Sequence, residues 1–288
     1  MLCQIENGSL RVCADTRGAQ LMSIRSAGGT EYLWQGGEAY WKNRAPNIFP
    51  YVARLTGGRY TYRGKSYGMP RHGFAPGSEF SCECGGEAMT FRLDSGESTL
   101  EMYPFRFSYF ITYRLGGGTL YIENRVENRD DKTMHFGLGG HPGINVPLDV
   151  GLSFEDYFLE FAPCAPRRVV FTPDCFVSGR EAPFELKNGR MDLRHELFDD
   201  DAVVLRGAAY PVTLRSERGA HGVTLDASGF PLLGFWHMSK TDAPYVCLEP
   251  WTSLPSRSGV VEDLETQPDL IALPAGETYR VEWSLRFF

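Results

Sequence analysis

The sequence holds no apolar run approaching the 18 residues of a membrane-spanning helix, which argues against a membrane partner. It is also short of positive charge. Its 29 Lys and Arg stand against 36 Asp and Glu, a formal net charge of −7. A nucleic-acid binder needs a basic footprint to displace counterions from phosphate, so no nucleic-acid partner is expected. The N-terminal MLCQIENGSLRVCADTRG lacks the basic stretch and apolar stretch of a secretory signal. A cytoplasmic location is the expectation that follows. Cysteines number seven, odd and scattered, which suits reduced thiols better than a disulfide framework. Cys82 and Cys84 form a C-x-C pair whose side chains share one face of a strand, but no further Cys or His cluster stands near, so no metal site is expected there. Repeats, low-complexity tracts and linkers are absent, which disfavours a propeller.

What is present is turn formers and strand patterns. Gly (32) and Pro (18) are frequent, and aromatics reach 13%. Tyr279–Phe288 alternates apolar with polar residues almost without a break, the period of a half-buried strand. Phe107–Tyr113 and Leu120–Glu127 flank Gly116-Gly117-Gly118 and predict a hairpin. Arg59–Tyr62 with Tyr67 predicts a second, turning over 63–66. Gln20–Ile24 and Glu31–Trp34 around Ala27–Gly29 predict a third. Helical spacing occurs only in Met191–Phe198. Ala162–Pro183 and Lys240–Pro255 are rich in proline and read as long ordered loops, a common seat of function. The expectation is all-β: one large antiparallel β-sandwich domain over residues 1–288.

Four segments could carry chemistry. His72, in Met69-Pro-Arg-His-Gly-Phe-Ala75, and His141, in Gly139-Gly-His-Pro-Gly-Ile-Asn145, are each wrapped in Gly and Pro and so are held on turns. Glu249, in Tyr245-Val-Cys-Leu-Glu-Pro-Trp251, closes an apolar stretch beside a Trp. It is either a solvated strand-end carboxylate or an acid in a partly dry site, where desolvation would raise its pKa toward general-base range. Arg54 interrupts the apolar run Phe49–Leu55, which is costly unless its charge is matched, by a ligand or by a structural ion pair. His135, His195 and His221 lie in featureless surroundings and read as structural or surface residues. His237, after Trp236, faces a cleft or sits in the core.

Taken together and in this order, Phe49–Leu55, Pro70–Ala75, His141–Asn145 and Glu249–Trp251 resemble the aldose 1-epimerase (galactose mutarotase) superfamily, and within it the bacterial LacX-like branch. The resemblance covers roughly residues 5–288. It implies a supersandwich of large twisted antiparallel sheets and an enzyme, an isomerase that interconverts the α and β anomers of a free sugar. It implies Glu249 as general base and His141 as general acid, Arg54 and His72 as sugar-binding groups, and no cofactor. Trp251 would stack on the sugar ring. An Asp contacts substrate in the galactose-specific branch; Asp199-Asp200-Asp201 offers candidates, with Asp200 taken for that place. The chain departs from the commoner pattern at Gly143 and Ile144, where aromatics are usual, and keeps only Val52-Ala-Arg54 of a longer galactose-branch signature. Two other readings stand beside the mutarotase: a carbohydrate-binding protein without turnover, and a hexose 6-phosphate mutarotase gripping phosphate through Arg71, with no evident second arginine.

Overall fold

Alternation in the sequence becomes sheet in the structure, a computed structural model that describes residues 1–288. In Thr119–Asn128 every second residue is buried, namely Leu120, Ile122, Asn124, Val126 and Asn128. This strand pairs antiparallel with Phe107–Gly116 on one side and with Thr278–Phe287 on the other. Buried Asn124 is matched by the Tyr109 hydroxyl, which donates to its Oδ1 at 2.7 Å. Burial without such a partner would cost about 1–3 kcal/mol.

These strands are the middle of a nine-stranded sheet that runs, in spatial order, Arg190–Asp192, Tyr157–Phe161, Val212–Ser216, Val223–Asp226, Thr278–Phe287, Thr119–Asn128, Phe107–Gly116, Ala88–Asp94 and Ser81–Gly85. An eight-stranded sheet runs Val177–Pro183, Arg167–Phe171, Val203–Arg206, Leu232–Trp236, Tyr245–Trp251, Gly139–Gly140 and Asn47–Ile48, with Gly143–Asn145 also paired to Tyr245–Trp251. A continuous cluster of 63 buried apolar residues, from Cys3 to Phe287, packs between the elements. Its aromatic centre is Phe49, stacked on Tyr109 at 4.5 Å and edge-on to Phe107 at 5.2 Å. Each such ring contributes roughly 1.5–3 kcal/mol by leaving water. The fold is all-β and antiparallel, with one short α-helix, Glu97–Met102. No helix is long and apolar enough to cross a membrane.

The strand Tyr245–Trp251 positions the chemistry. All seven residues are buried. Val246 and Leu248 enter the main core, whereas Tyr245, Cys247 and Trp251 belong to two smaller clusters on the sheet's other face. Glu249 shares that second face by the strand's period of two.

Several sequence expectations are corrected. Lys240–Pro255 is not a loop, since it contains this central strand. Ala162–Pro183 contains the antiparallel pair Arg167–Phe171 and Val177–Pro183. Met191–Phe198 forms no α-helix; it divides into the strand Arg190–Asp192 and a 3-10 turn, His195–Phe198. Glu31–Trp34 closes no regular hairpin. Arg25 and Glu31 make one bridge, and Leu33 pairs instead with Ile144. The hairpin at Arg59–Tyr62 turns more tightly than expected, pairing with Lys65–Gly68.

Candidate active site

Strand register brings His141 opposite Glu249. Gly139 pairs with Trp251 and Gly143 with Cys247, so the residue midway between the glycines faces the residue midway along the partner. His141 Nε2 lies 3.2 Å from Glu249 Oε2. The close approach needs Gly139, because a Cβ there would meet the Pro250 carbonyl oxygen at 2.5 Å.

Both groups are nearly dry, His141 at 7% and Glu249 at 1% exposure. Burial lifts the Glu249 carboxyl well above the usual carboxylate range, and the Asp201 charge lifts it further. The Trp251 indole N–H opposes this from nearby without completing a hydrogen bond of ordinary geometry. Burial also drives the His141 imidazole well below its ordinary value, helped by His72 and Arg71. Both shifts favour uncharged forms, so the pair is electrically neutral, with one acidic proton to exchange between carboxyl and imidazole. His141 Nδ1 and Glu249 Oε2 make no hydrogen bond within the protein. A neutral acid–base pair with spare hydrogen-bonding capacity is equipped to move protons on a bound molecule.

His72 stands edge-on to His141, ring centroids 5.2 Å apart. Its Nδ1 accepts the Ala53 N–H at 3.3 Å, and its own backbone N–H donates to the Ala53 carbonyl at 2.8 Å. Burial, with Arg71 and Arg54 beside it, pushes its pKa down to about 3. The ring is therefore neutral, Nδ1 is the acceptor, and Nε2–H remains as a donor. Ala53 and His72 both adopt positive φ, 54° and 64°, at a cost of about 1–3 kcal/mol each. Gly73 follows at φ 75°, where a Cβ would strike the Phe49 carbonyl oxygen at 2.1 Å. Strain of this kind persists where surrounding structure enforces it, and here it aims one imidazole at another.

Arg54 sits at the edge of this cluster. Its Nη2 lies 3.7 Å from Asp201 Oδ2, and its Nη1 donates to the Asp174 carbonyl at 3.1 Å. The ion pair left open by the sequence is thus present. The partner is Asp201; Asp200 is exposed on the same turn, so the acidic side chain beside the site is its neighbour. Arg71 forms no ion pair, and burial together with the Arg54 charge lowers its pKa.

The aromatic walls also differ from expectation. Trp251 is 4% exposed and packs with Ile48, Val52 and Leu232, so it forms floor beneath Glu249. The rings against His141 are Trp41, stacked at 4.9 Å, and Trp236, edge-on at 5.6 Å. Both are partly exposed, and Tyr245 backs Trp41 at 5.7 Å. Neither carried a sequence signal beyond being aromatic. His237 turns away, buried against His195, with 3.1 Å between Nε2 and Nδ1. A cavity of about 640 Å³ lies beside the His72 turn; it includes Arg71 and Gly73 but neither His141 nor Glu249.

Comparison with known proteins bears on what such a site acts upon. The family model for aldose 1-epimerase matches residues 1–286. The chain belongs to the aldose 1-epimerase family. It is 34% identical over 282 residues to the chromosomal protein LacX of Lactococcus lactis subsp. lactis, covering 94% of each sequence. A galactose mutarotase-like protein from Lactobacillus casei superposes with a TM-score of 0.95 at 32% identity, covering all of both chains. A galactose mutarotase related enzyme from Lactobacillus acidophilus gives 0.93 at 32%, covering 100% of this chain and 97% of that one. Membership of the aldose 1-epimerase family, with this fold, supports a mutarotase-type function.

Proposed function

We propose that the protein interconverts the α and β anomers of a free aldose by opening and reclosing the hemiacetal ring. The observation that carries this reading is the His141–Glu249 pair, 3.2 Å apart, buried, and flanked by two partly exposed tryptophans.

Ring opening needs a base for the proton of the C1 hydroxyl and an acid for the ring oxygen. The step runs from the minor, charge-separated form, in which the carboxyl proton has passed to the imidazole: Glu249 then takes the hydroxyl proton while His141 delivers one to the ring oxygen. The C1–O5 bond breaks, the open aldehyde rotates about C1–C2, and the ring closes on the other face as the protons return. Nothing is oxidised, and the two side chains return to their starting states. General acid and general base catalysis each contribute about 10²–10⁴-fold. Trp41 and Trp236 offer apolar surface to the C–H face of a sugar ring. His72 Nε2–H and the Arg54 guanidinium offer donors to its hydroxyls.

A second reading, mutarotation of a sugar 6-phosphate, is favoured by one observation. Arg71 has no ion-pair partner, and the Arg54 guanidinium is near enough for its charge to lower the Arg71 pKa, which supports a grip by two arginines. Paired arginines suit a phosphate better than a neutral hydroxyl.

NMR exchange spectroscopy on a panel of free aldoses and their 6-phosphates tests both. Faster anomer exchange on free sugars supports the first reading, and selective acceleration of phosphates the second. Binding without acceleration on any member would show a carbohydrate-binding protein instead.

A further inference from the structure

The cysteine two residues before Glu249 is unused by the mechanism above. Cys247 is fully buried, and the strand's period of two puts its thiol on the same face as the Glu249 carboxyl. His141 reaches that face from the paired segment. One ligand-type atom from each of His141, Cys247 and Glu249 lies within 4.8 Å of the others. An independent observation points the same way: Glu249 Oε2 and His141 Nδ1 are buried without hydrogen-bond partners.

We propose that His141, Cys247 and Glu249 form a three-ligand site for a borderline-soft divalent cation, with Zn²⁺ the best fit, and that its occupation blocks turnover. Imidazole, thiolate and carboxylate are the ligands zinc takes, at about 2.0–2.3 Å, and magnesium or calcium gains nothing from the first two. Ligands on a tetrahedral ion at those lengths stand roughly 3.5 Å apart, so the cluster contracts by about 1 Å to close on it. A thiolate and a carboxylate supply two negative charges, which cancel the ion's in a site too dry to hold an unbalanced charge. Binding therefore releases two protons, one from the Cys247 thiol and one from the Glu249 carboxyl. The fourth position is left for water or a sugar oxygen. The ion occupies the lone pairs that proton transfer needs, so metal and catalysis exclude one another. That inhibitory consequence rests on the aldose reading above, whereas the metal site does not.

Co²⁺ serves as the probe, since a thiolate bonded to cobalt gives a ligand-to-metal charge-transfer band and a tetrahedral site gives intense visible bands. Titrating the metal-free protein with Co²⁺ is expected to raise both, and Zn²⁺ to abolish them. C247S should lose the charge-transfer band and weaken Zn²⁺ binding, measured by competition with a chromophoric chelator, at least about tenfold. C82S, altering a distant cysteine, should retain both. In the same samples Zn²⁺ should stop anomer exchange, and EDTA should restore it to the metal-free rate. A charge-transfer band that persists in C247S, or Zn²⁺ affinity unchanged by that substitution, overturns the site. If C247S does not fold, the native protein decides: Co²⁺ should raise a thiolate charge-transfer band that Zn²⁺ abolishes, and a titration that raises no such band overturns the proposal. Loss of the band in C247S with no sugar turned over by the parent would keep the metal site and sink the aldose reading instead.

Discussion

The backbone N–H of Ala53 donates to Nδ1 of His72, and His72 returns a backbone hydrogen bond to the Ala53 carbonyl. This reciprocal clasp fixes the tautomer of one imidazole and its edge-on stance against His141. Behind it lies the neutral His141–Glu249 pair, and the predictions separate what each of these groups does.

Glu249→Gln should abolish anomer exchange while sparing the fold. The amide keeps the side chain's size but accepts no proton from the C1 hydroxyl. Loss of a general base is worth about 10²–10⁴-fold, so an NMR exchange rate within about threefold of the parent would remove Glu249 from the base's place.

His141→Asn should lower turnover with less effect on sugar affinity. The amide loses the proton donor to the ring oxygen and leaves Glu249 without its partner at 3.2 Å. If saturating sugar restored the parental rate and only affinity fell, His141 would be a positioning group rather than the acid.

How far the sequence reveals this depends on the physics of each segment. Thr278–Phe287 and the hairpin around Gly117 are legible because one face is wet and one dry, so polarity alternates. Tyr245–Trp251 is dry on both faces and carries no alternation, and its proline imitates a loop. His141, His72, Arg54 and Glu249 stand out because Gly, Pro or apolar neighbours make each residue locally improbable. Trp41 and Trp236 do not, since an aromatic is ordinary in any core, and only the fold says that theirs is beside His141. Three adjacent aspartates are chemically equivalent in the sequence. The backbone turn, with Asp201 at φ 81°, selects the one that meets Arg54. Cys247 becomes visible as a partner of His141 only through strand register.

Away from the site, Asp149 should make stability depend on acid. Burial by itself raises its carboxyl, but His221 at 2.6 Å, the Tyr157 hydroxyl at 2.8 Å and the N–H groups of Ala220 and His221 hold it below the usual range. A depressed carboxyl contributes stability above its unfolded pKa of about 3.9 and loses it as pH falls through the folded value. Asp149→Asn should therefore cost about 1–3 kcal/mol at neutral pH. The gap in Tm between parent and variant should stay level from pH 7 to about pH 5 and narrow below about pH 4. A gap independent of pH would show that packing, not charge, is what Asp149 supplies.

Arg54 and His72 are expected to grip the sugar rather than move its protons. His72 presents its Nε2–H from a strained turn, at a ring distance from His141 that a bound sugar oxygen can bridge. Arg54 is already matched in part by Asp201 and the Asp174 carbonyl. Its removal therefore frees one carboxylate without leaving a charge buried in apolar surroundings, and the fold should survive it. Each substitution removes about one hydrogen bond to substrate, worth about 1–1.5 kcal/mol or roughly tenfold. Arg54→Ala and His72→Ala should accordingly raise KM by about tenfold and change kcat less. Arg71→Ala adds the discriminating measurement. On a free aldose it should leave KM within about twofold, and on a 6-phosphate it should raise KM by well over tenfold if a paired-arginine grip is used. A fall in kcat at unchanged KM for Arg54→Ala or His72→Ala would move that residue from holding the sugar to stabilising the charge that develops as its ring opens.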